Sequence, residues 1–404
     1  MTIYTSGKHL GFKFEDHLAG KFLDVSVLAF TLGLYFLSIP LEFVPLTTGA
    51  SISKYVAVLP LTAAFLNLKN LRFRNRWLTA SMLCLALITL GSGLVSPLHI
   101  PFSNYIALLI NIAFAVLLGS FDMSKKDIEF LRKCLVVSSV IALVFLLLFS
   151  STYKNTGRDS ISIAGAAQDP NYLCGCFVFG VAHCVHDYMS RGSKVGLIMT
   201  CLFLMGVFTT GSRGGLVAIA SVIVSLLLLD LSRLRKNLKP FARIVLIAVA
   251  LLIAFNIIMS ILPQDISERY TIEYLIENGN THRSLLQQQC LSAYSDFDVL
   301  GKLFGMGLGA TRFFNSFHNV AHNVWVETLI GMGIVGVLLT ALVYFIVFKT
   351  ALKLKDFKIA ASLVGMFVLG LSLSTVYFKP VWALILFAAI RFGNQDDADE
   401  KGTS

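Results

Sequence analysis

The chain has 404 residues, of which 56% are hydrophobic and only 14% charged, and its formal net charge is +10. An ordinary soluble domain is about 45–50% apolar and about 25% charged, so this composition belongs to the membrane class. The basic residues lie in short clusters between apolar runs. No stripe of them could follow a phosphate backbone, which excludes a nucleic-acid-binding protein.

In chain order, residues 1–24 are polar and lack a cleavable signal pattern. They are expected to form a cytoplasmic segment, with the first span acting as its own uncleaved signal. Apolar runs then predict spans near 25–44, 52–68, 77–95, 102–120, 131–149, 171–188, 195–210, 214–231 and 242–262. Three more follow at 323–348, 357–376 and 380–393, the last of them short. Runs of this kind can cross about 30 Å of hydrocarbon, and lipid offers the backbone no partners, so each is read as a helix. The expected fold class is an all-α polytopic membrane protein of about 12 transmembrane helices, nine in 25–262 and three in 323–393.

Residues 263–322, between the ninth and tenth spans, read as a partly helical extracytoplasmic loop of roughly 60 residues. Short helices are expected around 268–277 and 283–294, with Tyr270, Tyr274, Leu285, Leu291 and Phe304 available to pack them. Residues 150–170, rich in Ser, Thr, Gly and Asp, form a second sizeable outer segment, and 394–404 read as a disordered cytoplasmic tail. With the N-terminus inside, 24 of the 33 Lys and Arg residues fall in inner segments and nine in outer ones. That bias is the positive-inside rule, and a missed or invented helix would invert it from that point onward.

The outer segments are poor in basic residues, yet Arg158, Arg213, Arg283 and His322 sit beside helix ends there. Arginine at a lipid boundary is costly unless it pairs, lines a wet cavity or snorkels. Arg213 lies between Ser212 and Gly214 at a tight break between two spans. Glycine allows close backbone approach to a ligand, a following helix N-terminus favours anions, and a guanidinium matches phosphate oxygens. A snorkelling arginine at a helical hairpin is the other reading. His322 opens the tenth span in His322-Asn323-Val324-Trp325-Val326-Glu327. A neutral imidazole suits proton removal from a sugar hydroxyl, although an interfacial helix-capping histidine reads the same way. Trp325 fits an interfacial belt or a sugar-stacking face. Glu327 is an ionisable candidate over one turn deeper, not on the His322 face.

Three other patterns carry no chemistry. Gly331-Met332-Gly333-Ile334-Val335-Gly336 has dinucleotide-motif spacing but no preceding strand, so helix packing is expected. His318 and His322 have zinc-pair spacing without the intervening Glu of the protease motif or an obvious third ligand, so no metal is expected. Cys174-Gly175-Cys176 is not a redox spacing, and of the seven cysteines only Cys290 falls in a long polar loop.

Gly211-Ser212-Arg213-Gly214-Gly215, Arg283 near the start of the long loop, Gly305-Met306-Gly307-Leu308-Gly309, and His322-Asn323 followed by Glu327, Gly331, Gly333 and Gly336 together resemble the bacterial O-antigen ligase and polymerase superfamily. Asp169-Pro170-Asn171 after Arg158 is similar to the family's stretch before the sixth span. The resemblance covers most of residues 150–340 and rests on motif order and topology. It implies a metal-independent, cofactor-free glycosyltransferase of the bacterial cytoplasmic (inner) membrane, active on the extracytoplasmic face. The donor would be a polyprenyl-diphosphate-linked oligosaccharide and the acceptor a glycan or lipid-glycan, with membrane lipid around both. Arg213 and Arg283 would hold the diphosphate and His322 would activate the acceptor hydroxyl. Arg158, Asn171, Ser212, Gly214, Asn323, Trp325 and Glu327 would complete the substrate site.

The resemblance further implies polymerisation of O-antigen or capsule repeat units, with transfer of finished glycan to lipid A core or another acceptor as the alternative. A chain-length regulator or other polysaccharide-assembly proteins would be partners. A transporter or flippase of lipid-linked glycan is a third reading. Against it, the buried charges cluster at one face and the two halves do not repeat.

Overall fold

The computed structural model describes residues 25–45, 51–73, 75–98, 100–152, 159–163, 166–229, 264–271, 273, 281–373 and 376–393, with scattered residues between 242 and 260. The fold is mostly helical. Helices α1 (Val27–Ser38), α2 (Ile52–Val56), α3 (Val58–Leu66), α4 (Arg76–Val95), α5 (Phe102–Leu118) and α6 (Lys125–Leu148) come first. After a small sheet follow α7 (Pro170–Arg191), α8 (Lys194–Thr209) and α9 (Arg213–Leu229). The chain then forms α10 (Thr281–Asp296), α11 (Val299–Phe304), α12 (Val324–Lys353), α13 (Phe357–Gly370) and α14 (Lys379–Gly393). Helix occupies part of every interval expected to span, in the ninth only at scattered described residues, and the 394–404 tail lies outside the described residues. Among the described residues, α4, α6 and α12 are long and apolar enough to cross a membrane, and several shorter helices are equally apolar.

Local capping fixes where these helices start. Ser124 and Asp127 make a reciprocal capping box at α6, and Asp127 also accepts the Ser26 amide at 2.7 Å, which joins the starts of α1 and α6. Asp169 accepts the Asn171 and Tyr172 amides at 2.8 and 3.2 Å, with Pro170 in the first helical position, so α7 has a defined beginning. Helix α14 packs against α5, α6, α7, α12 and α13. Nearly every residue from Val381 to Phe392 is buried, which matches a helix apolar on all sides. The shortest expected span is the central post of the bundle.

Three features depart from the sequence expectations. Residues 150–170 contain a three-stranded antiparallel sheet, β1 (Ser150–Thr152), β2 (Asp159–Ile163) and β3 (Ala166–Ala167), with Ser150 opposite Ile161 and Ser162 opposite Ala167. Among the described residues of the long loop the α-helices are Gln264–Ser267, Thr281–Asp296 and Val299–Phe304, and most of the expected 268–277 helix lies outside those residues. Its core is built on Leu286, Cys290 and Phe297, while Leu285 and Leu291 are exposed. Tyr274 lies outside the described residues.

The third departure is in α12, where Gly333 has φ 66° and ψ −171°. An unbroken helix would separate residues 325 and 344 by about 28 Å. Instead the Trp325 and Tyr344 rings are 6.0 Å apart, and Val324 lines one apolar cavity with Thr340, Val343 and Tyr344. The chain therefore folds back at Gly333. Its second limb, 334–353, is by itself about 30 Å long, enough to cross a bilayer.

Candidate functional site

Two groups of expected site residues assemble at one end of the bundle. The first surrounds the starts of α7 and α9. The Ser212 hydroxyl donates to Asn171 Oδ1 at 2.6 Å and accepts the Gly215 amide at 3.0 Å. Both Asn171 and Ser212 are buried, and Gly211, at φ 58°, makes the turn from α8. Arg213 is the first residue of α9 and is half-buried. The flanking glycines let α9 pack closely on its neighbours. A Cβ on Gly214 would collide with Ser372 Oγ, and one on Gly215 with Cys174 Sγ.

The second group surrounds the start of α12. Asn323 is the N-cap and accepts the Trp325 and Val326 amides at 2.9 and 3.3 Å. The preceding His322 is half-buried with φ 52°, a left-handed backbone uncommon for a side chain of its size. Glu327 is buried, accepting the Ala321 amide at 2.6 Å and the Thr311 hydroxyl at 2.7 Å. Its carboxylate thus ties down the residue before His322. Asn315 braces the same loop by donating to the carbonyls of Thr311 and Asn319 at 2.7 and 2.6 Å. Gln287 of α10 donates to the Ala321 carbonyl at 3.3 Å. Arg283 is half-buried one turn earlier on that helix, so its end of α10 borders the His322 loop. His318 is exposed and turned to the Arg312 carbonyl at 3.2 Å.

The loop and α12 meet backbone to backbone through their glycines. The Met306 and Gly307 amides donate to the Ile330 and Gly331 carbonyls at 2.8 and 2.9 Å. A side chain on Gly305 would strike Gly331, and one on Gly333 would strike the backbone of Leu303. These glycines dock a loop against the fold-back, where helix-to-helix packing was expected.

The end of α13 joins the two groups. Gly214 abuts Ser372, while two residues earlier Gly370 faces Val324, directly after Asn323. Tyr377, in the turn before α14, has its phenol pushed up by burial, with Arg312 opposing and Glu327 and Glu42 adding. Both the His322 loop and the end of α1 therefore lie within electrostatic reach of this turn. The N-termini of α7, α9, the first limb of α12 and α14 gather here. Each carries a partial positive charge even where Asp169, Ser212 and Asn323 cap its first amides, an arrangement suited to a polyanion.

Trp325 packs against Tyr344 and Phe367, with ring centroids 6.0 and 5.1 Å away. Half-buried, it has part of its ring engaged within the bundle. Arg158 lies outside the described residues. The sequence reading passed over Glu42, Ser53, Tyr172 and Lys379. Lys379 Nζ lies 2.9 Å from Glu42 Oε1, and the Tyr172 hydroxyl donates to the other Glu42 oxygen. An acid and a base at the edges of apolar spans were the available signal. In the long loop before α12, burial pushes the Cys290 thiol up to about 11, the nearby Glu327 adding and a hydrogen bond with Asn315 opposing.

No family model matches the chain. No curated protein matches it either. Among solved structures it is similar to a chain in "Structural coordination of polymerization and crosslinking by a peptidoglycan synthase complex", at 16% identity and a TM-score of 0.44, covering 79% of this chain and 96% of that one. A likeness at that score carries no argument about fold or activity, and the functional reading rests on the site itself.

Proposed function

We propose that the protein is a membrane glycosyltransferase that takes a polyprenyl-diphosphate-linked oligosaccharide on the extracytoplasmic side of the membrane. In this reading it joins glycan repeat units into a surface polysaccharide. The observation that supports it is the run of contacts from Ser212 and Gly214, through the end of α13, to Val324 beside His322 and Asn323. It brings the start of the Arg213 helix next to the start of the histidine limb, with Arg283 on the adjoining helix.

The chemistry fits those groups. The acceptor hydroxyl gives its proton to the His322 imidazole as its oxygen bonds to the anomeric carbon of the donor. The bond from that carbon to the diphosphate oxygen breaks, and the electron pair leaves with the lipid diphosphate. Arg213 and Arg283, together with the gathered helix N-termini, stabilise the charge that grows on the leaving group. That charge increases along the reaction, so their contribution is larger in the transition state than before it. Glu327 acts by holding Ala321 and thus the His322 backbone.

The test is transfer from purified lipid-linked repeat units by the reconstituted protein. Arg213→Ala, Arg283→Ala and His322→Asn should each abolish transfer while membrane insertion is unchanged. Asn is chosen at 322 because it tolerates a positive φ. Arg213→Lys should also impair transfer, since an ammonium lacks the planar fork. Activity should persist in EDTA. Normal turnover in all three variants refutes the reading. A deletion strain separates the products: glycan cut to a single repeat unit indicates a polymerase, and long chains stranded on carrier lipid indicate a ligase.

A further inference from the structure

The end of the bundle that carries Arg213 holds another largely buried cation, Lys379, the first residue of α14. Only 11% of its side chain is exposed, and its ammonium pairs with Glu42 at 2.9 Å and donates to Ser53 Oγ at 2.7 Å. Glu42 in turn accepts from the Tyr172 hydroxyl, and the Tyr172 ring stands edge-on to Phe378 with centroids 4.5 Å apart. Segments around residues 42, 53, 172 and 379 thus fix one ammonium group in place.

A clamp between α1 and α14 does not account for this arrangement. A buried ion pair contributes little net stability over an apolar pair of similar volume. An ammonium has three N–H donors, and among the described residues two are used. The position is also telling. Tyr172 follows Asn171, which accepts from Ser212 beside Arg213, so the Glu42 network and the Arg213 turn are braced by consecutive residues of α7.

We infer that Lys379 is a further ligand-binding cation of the Arg213 site, held by Glu42, Ser53 and Tyr172 so that its remaining N–H reaches an oxygen of the lipid diphosphate. The inference rests on the diphosphate reading proposed above. Glu42 has a positioning role: it neutralises the ammonium before ligand arrives and fixes its direction.

The decisive variant is the double substitution Glu42→Gln with Lys379→Met, which removes both charges and leaves no unpaired ion. Binding of undecaprenyl diphosphate is measured in nanodiscs, with undecaprenyl monophosphate for comparison, alongside thermal unfolding. The double variant should unfold near the wild-type temperature yet bind the diphosphate at least about tenfold more weakly, the loss expected for a charge-assisted hydrogen bond. Lys379→Arg should retain most of the affinity. Wild-type affinity in a folded double variant overturns the inference. Should that variant fail to fold, Lys379→Arg and Lys379→Gln decide, and equal affinities overturn it. If Arg213→Ala also binds the diphosphate normally, the parent reading fails; if Arg213→Ala loses binding and the double variant does not, only the role of Lys379 fails.

Discussion

Glu327 accepts the Ala321 amide at 2.6 Å, so this buried carboxylate acts on the residue before His322 through the backbone. Its second oxygen takes the Thr311 hydroxyl. A glutamine could make both contacts, accepting from Ala321 and donating to Thr311, whereas alanine leaves the Ala321 amide buried and unpaired. Glu327→Gln should therefore keep the fold and most of the transfer activity. Glu327→Ala should cost about 1–3 kcal/mol and lose activity with it. Inactivity of a well-folded Glu327→Gln protein would assign the carboxylate a direct chemical role.

Gly333 gives a sharper test of the fold-back. Its φ of 66° is strained for any side chain, and a Cβ would overlap the backbone of Leu303. Gly333→Ala should lower the melting temperature substantially and expose the 305–322 loop to protease. Gly91 in α4 is the contrast, because a Cβ there meets nothing within 4 Å. Gly91→Ala should be neutral or stabilising by about 0.5–1 kcal/mol. Equal behaviour of the two variants in a melting experiment would contradict the reversal at Gly333.

At the opposite end of the bundle, Asp356 lies 3.1 Å from Arg132 and 3.7 Å from Arg391, with side-chain exposures of 6%, 16% and 22%. Asp356→Ala removes the buried carboxylate that the two guanidinium groups share, leaving Arg132 its more exposed partner Glu129 at 3.2 Å. Losing one partner of a fully buried pair costs about 3–5 kcal/mol, and with Glu129 still compensating Arg132 this variant should lose part of that and unfold below the wild type. Adding Arg132→Met should recover part of the loss. A melting temperature unchanged by Asp356→Ala would mean that water reaches the cluster freely.

Cys290 should be chemically silent in the folded protein. Its side chain is fully buried, and burial pushes the thiol up to about 11, so little thiolate exists near neutral pH. A maleimide reagent at pH 7–8 should leave it unlabelled until the chain is denatured. Rapid labelling of the native protein at this cysteine, identified by peptide mass, would show that the loop before α12 opens.

The helices were legible in the sequence, because span-forming apolar runs are local signals. Helix beginnings near Arg213 and Val324 follow from the same cues. The roles of the flanking residues were not legible. That Gly214 lies against Ser372, and Trp325 against Phe367 and Tyr344, follows from contacts no local pattern announces. The small sheet around Ile161 was also missed, since strands this short leave little periodicity to find.

By itself, then, the sequence determined that the chain is helical and apolar, and where most helices begin, since backbone satisfaction in a run of apolar residues is settled within that run. The tertiary structure decided the rest: that α12 folds back at Gly333, that Glu42 meets Lys379, and that the Arg213 turn adjoins the His322 limb. Each of these is a contact between segments distant along the chain or a reversal fixed by such a contact. Its energy exists only when both surfaces are present, so no stretch of sequence carries it alone.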